Sequence, residues 1–183
     1  MMYELPTALD VGGVRHEIRS DWRAVLDIIA ALSDPELTQA DKLCCLLDIF
    51  YVNRPADVAE AVRQCFWFIN MGQGEQKSSG MKLMDWEQDL QYIIAPINQQ
   101  AGCEIRALDY MHWWTFMGYY YNIGDCMFAQ IVAIRKKLKK GQKLEKYEKE
   151  FYRANREIVD IKTKYTEAED AFINQLLGGG SDG

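Results

Sequence analysis

Apolar residues recur at helical spacing along most of the chain, and short polar breaks separate the periodic stretches. Within each stretch the apolar positions follow i, i+3, i+4 and i+7, a period that is typical of amphipathic helices. The breaks fall at 33–35, 53–55 and 72–80, and the last of these is a Gly-rich polar loop without periodicity. The pattern therefore predicts a mainly α fold.

Local signals mark where several of these helices begin. Asp21 and Thr38 are typical N-cap residues and stand directly before apolar-periodic stretches. Asp85 and Gln88 have the spacing of a capping box, which predicts a further helix. Pro96 lies inside that helix and is expected to kink or end it, because proline lacks an N–H group and clashes with the preceding turn.

Near the N-terminus the apolar residues alternate instead. Two short β-capable runs, Thr7–Val11 and Val14–Arg19, flank the pair Gly12-Gly13. Two glycines between such runs suit a two-residue primed turn, in which both central residues have positive φ. The pattern predicts a β-hairpin at about residues 7–19.

The most apolar part of the chain is the aromatic stretch 108–138. Its uncharged portion, from Tyr110 to Gly124, is 15 residues long, which is shorter than the roughly 18–20 residues that a membrane span needs. Apolar residues occupy all sides of this stretch at helical spacing, so it is predicted to be a buried central helix that ends near 122–124. A further helix is predicted from Asp125. The predicted structural core consists of large residues: Trp22, Trp86, Tyr110, Trp113, Trp114, Phe116, Met117 and Tyr121.

A different pattern follows Gly141. Nine apolar residues from Leu144 to Phe172 are separated by alternating steps of three and four, and no Gly or Pro interrupts them. This heptad-like seam predicts one long C-terminal helix at about 143–177, followed by a flexible tail at 178–183. The whole prediction is one helical domain over residues 1–177.

The seam has two interpretations. It can pack along the rest of its own domain, or part of it can meet another molecule. The distal residues extend past the basic region and have no obvious partner within the chain, so they are the candidate contact with a second subunit or a client protein. These candidate partner-binding residues are Tyr165, Ala168 and Phe172.

Charge is unevenly distributed along the sequence. The chain has a net charge of −6, yet residues 135–164 carry twelve Lys/Arg against five Asp/Glu, a local excess of +7 that leaves −13 for the remainder. The candidate basic patch is Arg135, Lys136, Lys137, Lys139, Lys140 and Lys143. Such a patch can neutralise nucleic-acid phosphates, but cations are also favoured at a helix C-terminus. The large acidic remainder favours a solvated or protein-facing patch, and nucleic acid is not the expected partner.

No arrangement of residues indicates catalysis or a cofactor. Asp109 and His112 have the spacing used in di-iron bundles, but those sites need a second such pair, so an Asp–His hydrogen bond within the core is expected instead. Metal-ligand spacings, phosphate-binding loops and nucleophile signatures are missing from the sequence. The prediction is therefore no enzyme, no cofactor and no metal.

The N-terminus and the cysteines bear on the compartment. The first residues have neither a basic n-region nor an apolar h-region, so no signal peptide is expected. The five cysteines include no CxxC pair, and most are surrounded by apolar residues. They are therefore predicted to be reduced, buried and small hydrophobic residues in a soluble cytoplasmic protein that has no membrane partner.

The sequence around the aromatic stretch is distinctive enough to resemble a known family. Residues 108–162 read LDYMHWWTFMGYYYNIGDCMFAQIVAIRKKLKKGQKLEKYEKEFYRANREIVDIK, and residues 4–38 read ELPTALDVGGVRHEIRSDWRAVLDIIAALSDPELT. Together with the helix from Asp85 to Ile94, they resemble small helical proteins of tailed bacteriophages and Gram-positive prophages. Members of that family are encoded among the tail genes, near the tape-measure gene, and are regarded as tail-assembly-chaperone-like.

The resemblance implies a function without catalytic residues. It suggests a phage tail-morphogenesis factor in the host bacterial cytoplasm, an assembly chaperone that binds helices of the tape-measure protein or other tail proteins. A homo-oligomer is compatible with this role. Two alternatives stay open, namely a nucleic-acid-binding accessory protein that uses the run 135–143, and a structural tail or connector component of the virion.

Overall fold

A computed structural model describes residues 4–73 and 81–162. In chain order these residues form β1 (Ala8–Val11), β2 (Val14–Glu17), α1 (Trp22–Leu32), α2 (Gln39–Phe50), α3 (Val58–Ile69), α4 (Trp86–Ala101), a 3-10 turn (Ile105–Ala107), α5 (Trp113–Tyr121), α6 (Met127–Lys139), α7 (Lys146–Ala154) and α8 (Arg156–Val159). The mainly α fold with an N-terminal hairpin is confirmed. Most of the predicted loop 72–80 and the tail 178–183 lie outside the described residues.

The chain divides into two compact units. Among the described residues, unit 1 comprises 4–73 and 110–116, and unit 2 comprises 81–109 and 117–162. Helix α5 therefore contributes its first four residues to unit 1 and the rest to unit 2. The single helical domain over residues 1–177 stays a prediction.

The hairpin of unit 1 has the predicted turn. Strands β1 and β2 pair antiparallel, with Val11 opposite Val14. Gly12 and Gly13 have φ values of 61° and 79°, the left-handed conformation that a primed turn requires of both residues. The Asp10 carboxylate accepts a hydrogen bond from the Gly13 N–H at 2.9 Å, which closes the turn.

Helices α1 and α2 begin at the predicted caps. The Asp21 side chain accepts a hydrogen bond from the Arg23 N–H at 2.9 Å. Thr38 forms a complete capping box with Asp41, in which each side chain bonds the other residue's backbone N–H. Both cap predictions are confirmed, because a cap depends on residues only two or three positions apart.

The C-terminal ends of α2 and α3 are capped by side chains that are distant in sequence. The Arg19 guanidinium donates to the backbone carbonyls of Asp48, Ile49 and Tyr51 at 2.8, 3.0 and 2.8 Å. At α3, the indole N–H groups of Trp113 and Trp114 donate to the carbonyls of Ile69 and Phe68, each at 2.8 Å. The last carbonyls of a helix lack intrahelical partners, so these bonds fasten the segment of Arg19 to the end of α2 and the start of α5 to the end of α3.

The predicted central helix begins later than the sequence pattern indicates. Residues 110–112 are extended and pair with the chain before α1, since the Trp22 N–H donates to the Met111 carbonyl at 3.0 Å and the Trp113 N–H to the Ser20 carbonyl at 2.8 Å. The helix starts only at Trp113. Backbone pairing with a distant segment has overridden the local helical period.

Unit 2 has its own small apolar core. Ile131, Ile134, Leu144 and Val159 form a buried cluster, and partly buried aromatic residues pack against it. Helix α4 runs through Pro96 to Ala101 and ends at Gly102, whose φ of 71° is the left-handed conformation common at helix ends. Pro96 therefore does not end the helix.

The prediction of one long C-terminal helix is wrong for the residues that the structure describes. Helix α7 ends at Ala154, Asn155 leaves the helical conformation at φ −129° and ψ 30°, and α8 lasts only four residues. Tyr147, a predicted seam residue, is 62% exposed, whereas Val159, outside the seam, is buried.

One local and one long-range set of hydrogen bonds account for this break. The Asn155 side-chain N–H donates to the Phe151 carbonyl at 2.9 Å, a local bond that competes with helix continuation. The carbonyls of Ile158 and Val159 accept hydrogen bonds from side chains elsewhere in unit 2, and these bonds compete with a continuing helix. The distal half of the predicted helix lies outside the described residues.

Candidate functional site

The first residue of the candidate basic patch is not on the surface. Arg135 lies on the inner face of α6 and is only 3% exposed. It forms an ion pair with Asp89 of α4, which is fully buried, at 2.6 Å. The assignment of Arg135 to a basic surface patch is therefore wrong.

Every N–H group of Arg135 has a partner. Its Nη1 and Nη2 atoms bind both carboxylate oxygens of Asp89 at 2.6 and 2.9 Å, and its Nε donates to the Val159 carbonyl at 2.7 Å. The two remaining N–H groups donate to the carbonyls of Leu83 and Ile158 at 3.1 and 2.8 Å. An arginine has five such donors, so this one is fully satisfied and acts as a brace within unit 2.

Lys137 is also engaged in an ion pair. Its Nζ lies 2.7 and 2.8 Å from the two carboxylate oxygens of Glu148, a buried residue of α7. The hydrogen bond from Lys137 lowers the pKa of Glu148, and the same bond raises the pKa of Lys137. The pair joins α6 to α7 and is not available for phosphate contacts.

The remaining cations of the patch are solvent-exposed. Helix α6 ends at Lys139, and the positive φ of the nearby Gly141 allows the Gln142 and Gly141 N–H groups to cap the carbonyls of Lys137 and Leu138. The partly exposed Leu138 lies among these cations. The exposed set is Lys136, Lys139, Lys140 and Lys143. Four of the six predicted patch residues thus form the accessible basic end of α6.

The predicted core residues fall into three groups. Trp22, Trp113, Phe116 and Met117 are buried, whereas Trp86 and Trp114 are half-buried. The rings of Trp22 and Phe116 stack with centroids 4.8 Å apart and an interplanar angle of 2°.

Two tyrosines predicted to be in the core are exposed. Tyr110 is 52% exposed and precedes α5, and its hydroxyl group lies 2.8 Å from the Ser20 hydroxyl. Tyr121 is 64% exposed and is the last residue of α5. Both corrections follow from the position of the helix, because the predicted face assumed one continuous helix through both residues.

His112 has a different role from the predicted one. Its Nδ1 accepts a hydrogen bond from the Trp114 N–H at 3.0 Å, so the imidazole caps the start of α5. Its Nε2 lies 3.0 Å from the Pro6 carbonyl and, with Nδ1 accepting, carries the proton that is donated there. Asp109 is exposed, and both hydrogen bonds of the ring go to backbone groups, so the expected Asp109–His112 bond is wrong.

Burial of this ring has an electrostatic consequence. Desolvation lowers the pKa of His112, and the hydrogen bond to Pro6 only partly offsets that effect. Protonation of Nδ1 would remove the acceptor that caps α5. The neutral form of His112 is thus the form that the fold requires.

A surface cleft lies on unit 1. It has a volume of about 570 Å³ and is open to solvent. Three apolar residues and one aromatic ring contribute to its lining, and four carboxylates stand among the others. The lining residues are Thr7, Glu17, Ile18, Arg19, Ser20, Asp21, Ala24, Asp27, Asp48, Ile49 and Tyr110.

The carboxylates of the cleft differ in their partners. Asp21 is held by Arg23 and by the Met111 N–H, and Asp48 forms an ion pair with Arg54 at 2.8 Å. The side chains of Glu17 and Asp27 are exposed, and their carboxylates form no hydrogen bond or ion pair within the described residues. The cleft therefore carries two uncompensated negative charges.

The sequence contains no local signal for this cleft. Glu17 ends β2, Asp27 lies on α1, and Asp48 lies on α2, so the acidic residues are brought together only by the fold. Tyr110 was assigned to the core by its helical spacing. A cleft assembled from four separate segments has no sequence motif.

Other chemistry is sparse in the part of the chain that the structure describes. There, no group of three or more His, Cys, Asp or Glu residues is placed to hold a metal ion. The five cysteines are free, but Cys44 and Cys103 are exposed, so the predicted burial is wrong for these two. Burial raises the pKa of the Cys65 thiol well above its usual value, so this thiol stays protonated. Within residues 4–73 and 81–162, no helix combines the length and the apolarity needed to cross a bilayer.

Comparison with known protein families identifies the family of the chain. The profile of the family described as Bacteriophage Gp15 protein matches residues 1–161. The chain belongs to this family. It is thereby placed among bacteriophage structural or morphogenesis proteins, in agreement with the phage resemblance of the sequence. No curated protein and no solved structure matches the chain.

The candidate partner-binding residues Tyr165, Ala168 and Phe172 lie outside the described residues and stay a prediction.

Proposed function

We propose that the protein is a non-enzymatic tail-morphogenesis factor that acts in the host cytoplasm as an assembly chaperone for the tape-measure protein. Membership of a bacteriophage morphogenesis family supports the general role. The resemblance to proteins encoded near the tape-measure gene supports the specific client. A chaperone of this kind holds exposed helices of its client until the tail tube encloses them.

The observation that carries the proposal is the open cleft of unit 1. Its apolar residues Ile18, Ala24 and Ile49 are accompanied by the half-exposed ring of Tyr110. Helix-in-groove recognition requires such a concave surface, where apolar side chains of the client helix dock and polar groups at the rim fix its orientation. A cleft that is open to solvent suits a polypeptide segment better than an enclosed small molecule.

The nucleic-acid alternative has less support. Arg135 and Lys137 are committed to Asp89 and Glu148, so four exposed lysines remain of the six candidate cations. Affinity for nucleic acid depends on the number of phosphates neutralised, and four flexible lysines at one helix end favour weak binding. The alternative of a virion component differs from the proposal in whether the protein remains in the finished particle.

Two measurements test the proposal. The full chain is co-expressed with the tape-measure protein of the same phage and recovered through an affinity tag; we expect the tape-measure protein to be retained and to stay soluble. Purified virions are then analysed by quantitative mass spectrometry. A chaperone is absent from the particle, whereas a fixed copy number per virion would establish a structural component. Failure to retain the tape-measure protein would overturn the proposed client.

A further inference from the structure

We infer that the cleft of unit 1 binds a basic side chain, lysine or arginine, which an amphipathic helix of the protein partner presents. The inference rests on the proposed function, because it names the chemistry by which the client helix is recognised. It assigns recognition to unit 1 and leaves the basic end of α6 outside the binding surface.

Charge complementarity points to a cationic occupant. The carboxylates of Glu17 and Asp27 lie at the cleft without ion-pair or hydrogen-bond partners among the described residues. Those of Asp21 and Asp48 are already paired with arginines. The described part of unit 1 contains eleven Asp/Glu and six Lys/Arg, a net charge of −5. An acidic partner segment would be repelled by this field, and a basic one attracted.

The lining residues also match the shape of a long cationic side chain. Lysine and arginine have an aliphatic stem that packs on apolar surface while the charged head stays near water. The partly exposed Ala24 and Ile49 provide that surface, and the half-exposed Tyr110 ring is an aromatic group with which a cation can interact. A small inorganic cation would need several convergent oxygen ligands, and no such group exists among the described residues.

The one cation in the cleft does not cancel this preference. Arg19 is committed through Nη1 to the carbonyls of Asp48, Ile49 and Tyr51, at the C-terminal end of α2. Its positive charge is therefore offset by the negative end of the helix dipole. The carboxylates of Glu17 and Asp27 have no such compensation.

The test uses the full chain and two synthetic peptides. One peptide is an amphipathic helix of leucine and lysine residues, and the other carries glutamate in place of every lysine. Binding is measured by fluorescence anisotropy at low salt and again at high salt. We expect the lysine peptide to bind with an affinity that falls as salt screens the charges, and the glutamate peptide not to bind.

Variants locate the binding in the cleft. Glu17→Lys combined with Asp27→Lys should weaken binding of the lysine peptide roughly ten-fold, because two attractions become repulsions. The matched control is Glu4→Lys combined with Glu36→Lys, which makes the same charge change at exposed positions outside the cleft. We expect the control to bind within about two-fold of the wild type, since exposed charges outside the cleft act only through a screened field. Tyr110→Ala should also weaken binding, whereas equal loss in the cleft variant and the control would overturn the site.

The outcomes separate this inference from the proposed function. If the tape-measure protein is captured and the cleft variant retains it as well as the control does, the client is bound elsewhere and the inference is wrong while the function stands. Sedimentation of the free protein detects a different occupant: a loss of mass in the cleft variant alone would show that a second copy fills the cleft, which also overturns the inference. Circular dichroism verifies folding, and the exposed single variant Asp27→Lys replaces the double variant if that one is unfolded.

Discussion

The two units of this protein use charged side chains in opposite ways. In unit 2 the ion pair of Arg135 and Asp89 is buried, and every donor of the guanidinium is satisfied inside the unit. In unit 1 the carboxylates of Glu17 and Asp27 stand at an open cleft without partners in the described chain. The buried pair of unit 2 is therefore part of the fold, whereas the two carboxylates of unit 1 are free to meet another molecule.

Removal of a charged side chain should have different effects at the buried ion pair of unit 2 and at the cleft of unit 1. A buried ion pair gains little over well-packed apolar residues, because both ions must be desolvated, but removal of one partner leaves the other unpaired in the core. Removal of an exposed carboxylate that has no partner leaves no other charge unpaired. Substitutions at the buried ion pair should therefore affect stability, and substitutions of the two free carboxylates should affect binding.

The largest expected effect is at the buried ion pair. Asp89→Ala should destabilise the protein by about 3–5 kcal/mol, because Arg135 would keep its charge in the core of unit 2 without a carboxylate partner. Chemical denaturation followed by circular dichroism measures the change. Lys139→Ala, an exposed residue of the same basic run, is the control and should change stability by less than about 0.5 kcal/mol. Equal small changes in stability for both variants would show that the ion pair of Arg135 and Asp89 does not hold unit 2 together.

A smaller effect is expected at the indole that caps α3. Trp113→Phe keeps most of the ring but removes the N–H group that binds the Ile69 carbonyl, so it should cost about 1–3 kcal/mol. Trp114→Phe removes the equivalent bond to Phe68 at a half-buried position, where water can replace the donor, and should cost less. Thermal melts of the two variants make the comparison. A larger loss of stability for Trp114→Phe than for Trp113→Phe would contradict the assignment of Trp113 as the more important cap of α3.

The pH dependence of stability should report on His112. Its pKa is lower in the folded state than in the unfolded state, where the usual value of about 6.5 applies. The unfolded chain therefore binds a proton more readily, so the contribution of His112 is complete above pH 6.5 and is lost as pH falls through that value toward the folded pKa. His112→Asn keeps a capping oxygen without titrating, and its stability should depend less on pH between about pH 7 and 5. His16→Asn, which leaves His112 in place, should behave as the wild type does.

The smallest expected effect concerns the basic end of α6. Binding of duplex DNA or RNA near physiological salt should be weak, and a variant with glutamate at Lys136, Lys139, Lys140 and Lys143 should bind the tape-measure protein as the wild type does. Anisotropy across a salt series checks the first point and pull-down the second. Tight nucleic-acid binding that falls steeply with salt and is lost in this variant would favour the nucleic-acid alternative.

Features that depend on neighbouring residues could be predicted from the sequence. The turn at Gly12-Gly13 and the caps at Asp21 and Thr38 involve residues two or three positions apart. The capping box at Asp85 is only half correct: the Gln88 N–H donates to Asp85 as predicted, but the Asp85 N–H is bound by Asp89. The Gln88 side chain instead donates to the carbonyl of Asp160, a contact that no local pattern contains.

Features that depend on distant residues could not be predicted in this way. Arg135 continues a basic run along the sequence, and only the position of Asp89 on α4 makes it a core residue. Tyr110 fits a helical face, but its segment pairs with the backbone around Ser20 and leaves the ring at the cleft. In both cases a long-range contact has overridden a correct local pattern.

Hydrogen exchange of the full chain, alone and in complex with the captured tape-measure protein, tests most directly whether unit 1 is the binding region. We expect slower amide exchange on binding at residues 17–27 and 48–52, and unchanged exchange at 136–143. Protection confined to 136–143, with none around the cleft, would contradict it.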